Sequence, residues 1–180
     1  MQSADLPNDT PIRELLQRGQ LFLEKCEFPL ARATFLEAFE TAKTADDRES
    51  VTEAIAALLR LAAEARDDDS IARWDAELEA ALPGASPYAT ALAWHNRSVV
   101  ATLQGNYRLA QTFLYRALRA FRAGHDLERL SPAQTRIYMK IWGAISATFM
   151  DRDLSRRSMF TGDALIRKFG ETAHHAELAS

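Results

Sequence analysis

The sequence predicts an all-α chain of 180 residues: an α-α superhelix of about four antiparallel helical hairpins, in one domain. Three observations predict it. Ala, Leu, Arg and Glu dominate while Gly (7) and Pro (6) are scarce, which favours helices. Apolar residues recur every three or four positions, with no alternating stretch that would suit a strand. The same apolar phrase occurs twice, in residues 25–40 and again in residues 103–118.

The elements follow in order. Pro11 after Thr10 starts the first helix, about 11–26, whose apolar face holds Leu15, Leu16, Gly19, Phe22 and Leu23. Cys26, on the same stripe, is expected to be a buried structural thiol. The second helix, about 29–44, aligns Phe35, Ala38, Phe39 and Ala42. Asp46, Asp47, Arg48 and Glu49 form an acidic start for the third, about 47–66, where Leu58, Leu59 and Ala62 carry the pattern. Asp67, Asp68 and Asp69 lack the alternating ligands and central glycine of a calcium loop. They read as a turn, with Asp69 or Ser70 capping a helix at about 69–82. Ser86-Pro87 opens the fifth helix, about 87–104, and Gly105-Asn106 turns the chain into the sixth, about 107–123. Ser131-Pro132, with Gln134 completing a capping box, opens a helix over about 132–150. A last helix is expected over about 153–169, and residues 170–180 read as a frayed tail.

The repetition has a register. Leu15, Gly19, Phe22, Ala31, Phe35 and Ala38 are spaced by steps of 4, 3, 9, 4 and 3. Trp94, Ser98, Ala101, Ala110, Leu114 and Ala117 repeat those steps. Two antiparallel helices approach closely only where side chains are small, so Gly19 is expected opposite Ala31 and Ser98 opposite Ala110. One such hairpin cannot bury both faces alone, so hairpins stack.

On these twelve residues and the turn Gly105-Asn106-Tyr107, the chain resembles the tetratricopeptide repeat family. Units fall at about 11–44, 47–82, 87–123 and 132–169. The second departs from the family pattern, with Arg60 where glycine is usual and Ala72 at the small position. The fourth keeps Trp142, Ser146 and Phe149, but Arg157 stands near an expected alanine. The resemblance implies that the first helix of each hairpin lines a concave groove for an extended or helical peptide. The groove residues it implies are Arg13, Leu16, Gln17, Gln20 and Glu24; then His95, Asn96, Val99 and Leu103; then Arg136, Lys140 and Met150. His95, one residue past Trp94, is a candidate for a ligand carboxylate. Members that grip a peptide C-terminus use Lys, Asn and Arg, and only Asn96 and Lys140 suit that role here.

Little points to chemistry. There is no phosphate-cradling glycine loop, no Gly-x-Ser-x-Gly, no His-Glu-x-x-His and no paired cysteine motif. His174, His175 and Glu177 do not form a metal set, and neither a metal nor a cofactor is expected. Residues 1–90 carry 18 acidic and 9 basic side chains, and residues 91–180 carry 7 and 13. The basic half includes Arg108, Arg116, Arg119 and Arg122, a face suited to phosphates, an acidic partner or a second copy. Without aromatic interleaving, it argues against nucleic acid. No secretory leader or membrane-spanning run is apparent and Cys26 is the single cysteine, so a cytoplasmic protein is expected.

The expected function is therefore a non-catalytic module that binds another protein or peptide, with homodimerisation as a further possibility. The alternative is a regulatory sensor domain of a bacterial signalling or transcription system that binds a small peptide or ligand. The Arg- and Ala-rich usage fits a bacterial origin.

Overall fold

The computed structural model describes residues 11–127 and 129–148. Among them there are seven helices and no strand: α1 Pro11–Glu24, α2 Phe28–Thr44, α3 Arg48–Glu64, α4 Asp68–Ala81, α5 Pro87–Leu103, α6 Tyr107–Gly124 and α7 Pro132–Thr148. The chain divides into two compact units, Met1–Gly124 and His125–Ser180. The cap expected from Thr10, the helix expected at 153–169, the tail 170–180, Phe149 and Met150 lie outside the described residues.

In the first unit, four turns are built alike. Cys26, Asp46, Arg66 and Gly105 have φ of 59, 53, 54 and 75°. In each turn the next amide donates to a carbonyl five residues back: Glu27 to Phe22, Asp47 to Ala42, Asp67 to Ala62 and Asn106 to Ala101. This is the Schellman arrangement, which satisfies carbonyls that a helix end leaves without partners. The residue that closes one helix also starts the next. Asp47 and Asp67 accept from the amides of Ser50 and Ser70, and Asn106 accepts from that of Leu109. The Ser70 hydroxyl and then its amide bond to the Asp67 carboxylate and hold it below the usual range. Asp67 is thus the cap, in place of Asp69 or Ser70. Cys26 occupies the left-handed corner of the first turn and is exposed, not buried, because α1 ends before it.

The turns also correct the register of the middle hairpin. They lie 40 residues apart between Cys26 and Arg66 and 39 between Arg66 and Gly105. Gly19 therefore corresponds to Leu59 and Ser98, and Ala31 to Ile71 and Ala110. Arg60 and Ala72 sit one position beyond the places that the sequence suggested. Leu59 is buried, so a large apolar side chain fills the site that its neighbours keep small. In the first hairpin the atoms nearest a Cβ built on Gly19 all belong to the buried Phe35 ring, at 2.7–2.9 Å, instead of to Ala31.

α3 lies inside the unit. It packs against α1, α2, α4 and α5, and twelve of its seventeen residues are buried. α5 packs against both α3 and α6. The small Ala89, Ala91 and Ala93 are fully buried on α5, as close approach requires. α6 has the narrower apolar stripe of a surface helix: Ala110, Leu114, Ala117, Leu118 and Phe121. Phe39 of α2 meets Trp74 of α4 edge to face, with centroids 5.6 Å apart.

Two arginines tie the outer hairpins to the middle one. Arg13 of α1 donates to Glu53 of α3 at 2.6 Å and lies 3.5 Å from Glu49. Arg97 of α5 donates to the Asp75 carboxylate at 2.7 Å and to its carbonyl at 3.2 Å, and it pairs with Glu79 at 2.7 Å. Arg97 and Arg116 flank the Trp94 ring, at 4.9 and 4.8 Å from its centroid, and Phe113 stacks on that ring.

In the second unit, Ser131 and Gln134 form the expected capping box: each backbone amide donates to the other's side-chain oxygen. On α7, Ile137, Tyr138, Ile141 and Ile145 are buried.

Candidate functional site

The residues expected to line a groove separate into three groups. Leu16, His95 and Asn96 are buried. For His95 and Asn96 this is a correction of the open position that the sequence suggested, and it follows from α5 being packed between α3 and α6. Arg13 is engaged with Glu53 and Glu49. Gln17, Gln20, Glu24, Val99 and Leu103 keep exposed or half-exposed side chains. Arg136 is exposed and Lys140 half-exposed on α7, within the second unit.

The turn register collects the open positions into a row. Gln20 on α1 corresponds to Arg60 on α3 and Val99 on α5; one helical turn later, Glu24 corresponds to Glu64 and Leu103. All six are exposed or half-exposed, whereas the positions one turn earlier, Leu16, Ala56 and His95, are all buried. α3 contacts both α1 and α5, so the row runs over adjacent helices. Its chemistry changes along its length. Gln20 donates to Glu24 at 3.0 Å, Arg60 lies 3.8 Å from Glu64, and Val99 and Leu103 are apolar. Polar i, i+4 pairs thus occupy two hairpins and an apolar pair the third.

Arg60 and Glu64 are the members that sequence reasoning missed. The signal was present in the 40-residue spacing of the turns, but a one-residue slip in the middle hairpin hid it. Below the row sits one strongly perturbed acid. Burial pushes the Glu53 carboxyl up to about 7, against the pull of Arg13. On Arg13, burial is the largest single influence and lowers the guanidinium, but Glu53, with smaller help from Glu49 and Tyr88, raises it above its usual value. That pair joins α1 to α3 and is a structural tie. Among the described residues no group of three His, Cys, Asp or Glu side chains could hold a metal ion, and no helix is long and apolar enough to cross a membrane.

Comparison with known proteins finds no matching family model, no similar curated protein and no similar solved structure.

Proposed function

We propose that the chain is a non-catalytic protein-interaction module, a stack of tetratricopeptide-like hairpins that takes a peptide or helix of a partner along its first helices. The observation that carries this reading is the row Gln20/Glu24, Arg60/Glu64 and Val99/Leu103, left open at equivalent positions of three adjacent helices. The neighbour pattern supports it. Each first helix packs on its own second helix, and α3 also packs on α1 and α5, as in a stack of hairpins. Apolar anchors at Val99 and Leu103 beside the charges of Arg60 and Glu64 suit an amphipathic segment.

The test is selection from a displayed library of amphipathic peptides on the intact chain, followed by titration of the selected peptide. Changing Val99 and Leu103 together to Ser is expected to weaken binding at least about tenfold, since both anchors are lost. Arg60→Glu is expected to change which peptide charges are preferred. Thermal melting by circular dichroism should stay close to wild type in each variant. Peptides that bind all variants equally would remove the row from consideration.

A further inference from the structure

One stretch of the chain differs from the rest in charge. Residues 80–125 contain five arginines and no Asp or Glu, in a protein with 25 acidic residues. That stretch includes all of α5 and α6. Elsewhere in the first unit, three arginines meet carboxylates of their own chain: Arg13 with Glu53, Arg18 with Glu37 and Arg60 with Glu64. Arg97 is likewise neutralised by Asp75 and Glu79. The α6 arginines have no acid on their own hairpin to meet. Arg108 and Arg119 are exposed and make no ion pair with any described residue, and Arg116 lies against Trp94.

The helix itself aligns these groups. Its buried stripe fixes which face points outward, and Arg108, Tyr115 and Arg119 fall on that face at helical spacing. Eleven residues separate the two arginines, about 16 Å along the axis. At the start of the helix Tyr107 and Leu109 are exposed as well. Arginine and tyrosine with apolar neighbours, and no lysine on the helix, is the composition enriched at protein interfaces. A nucleic acid would meet a protein of net charge −3 and find exposed leucine beside the arginines. A bilayer surface would need the apolar stripe of α6, which is buried.

We infer that the outer face of α6 is a docking surface, separate from the row on the first helices, for an acidic amphipathic segment of another protein. Carboxylates of that segment pair with Arg108 and Arg119, and its apolar side chains meet Tyr115 and, at the edge of that face, Leu109.

The test uses the full chain and fluorescence anisotropy with three labelled probes: a synthetic Glu/Leu amphipathic peptide, its Lys/Leu counterpart and a short single-stranded RNA. The Glu/Leu peptide is expected to bind, the Lys/Leu peptide not to, and the RNA to bind more weakly. Binding should fall when salt is raised from about 0.1 M to about 1 M. Arg108→Glu with Arg119→Glu should weaken it at least about tenfold, and the double change to Gln should weaken it less. Both positions are exposed, so unchanged melting curves are expected; the Gln pair decides the matter if charge reversal disturbs folding. The Val99/Leu103 double Ser variant should keep the salt-sensitive binding of the Glu/Leu probe that Arg108→Glu with Arg119→Glu removes. No binding of that probe, equal binding by the Gln and Glu variants and wild type, or RNA bound as tightly as the peptide would overturn the assignment. So would salt-sensitive self-association in the ultracentrifuge that Arg108→Glu with Arg119→Glu abolishes, since the face would then belong to a second copy.

Discussion

Hairpins α1–α2 and α5–α6 are both fastened to the hairpin between them by an arginine of their first helix, and the two fastenings are inverted. In the pair Arg13–Glu53 the carboxylate is the buried partner, with 9% of its side chain exposed against 34% for Arg13. In the cluster of Arg97 with Asp75 and Glu79 the guanidinium is buried, at 7%, and the carboxylates are 49% and 69% exposed. The contrast teaches that distance alone does not set the value of an ion pair: both contacts are under 2.8 Å. What differs is which charge is left behind when its partner goes. A stranded Glu53 would stay buried without its partner and would have to take up a proton, whereas Asp75 and Glu79 would return to water.

The largest expected effect tests that contrast directly. Arg13→Ala should cost about 3 kcal/mol near pH 8, and Arg97→Ala about 1–2 kcal/mol, chiefly lost packing on Trp94. The first cost should shrink with falling pH. Burial raises the folded-state pKa of Glu53 from 4.5 to about 7, so the stability tied to this group is full below 4.5 and is lost as pH rises through 7. Arg13 lowers that pKa, so its removal moves it higher and the two proteins diverge only above 7; chemical denaturation from about pH 6 to about pH 9, with Glu53→Gln as the control that removes the slope, is the measurement. Equal and pH-independent costs for the two arginines would break the comparison.

A smaller effect concerns the shared small position. Gly19→Ala should destabilise by about 1–3 kcal/mol, because the new Cβ would stand 2.7 Å from the Phe35 ring. Wild-type melting of that variant would mean that the ring gives way freely. The smallest effect sharpens the comparison at the turns, which match in backbone but differ in residue. Cys26 holds φ 59° with a side chain, where Gly105 holds 75° without one. Cys26→Gly should therefore stabilise by about 1 kcal/mol and Gly105→Ala should destabilise by a similar amount, read from denaturation midpoints.

These particulars show how far the sequence could be read. The ends of α1 to α6 and the start of α7 fall within about two residues of where apolar period and caps put them, since such signals act over a single turn of helix. The caps at Ser86 and Ser131 were legible for the same reason, while Asp47 was legible only as part of an acidic start. The middle hairpin was misread by one residue because Leu59 and Ile71 hide the small-residue signature that Gly19 and Ala31 display. The candidate row was half legible: Gln20, Glu24, Val99 and Leu103 could be named, while Arg60 and Glu64 needed the turn register. His95 and Asn96 looked available because nothing in their local sequence records that α5 is covered on two sides.

By itself, then, the sequence determined the helices, their order and their turns, which rest on contacts within about five residues of the chain. Only the tertiary structure decided that Glu53 is buried under Arg13, that Arg97 spans to α4, and that His95 is closed off while Arg60 is not. Those outcomes depend on side chains some 20 to 40 residues apart meeting in space, a distance over which no local pattern carries information.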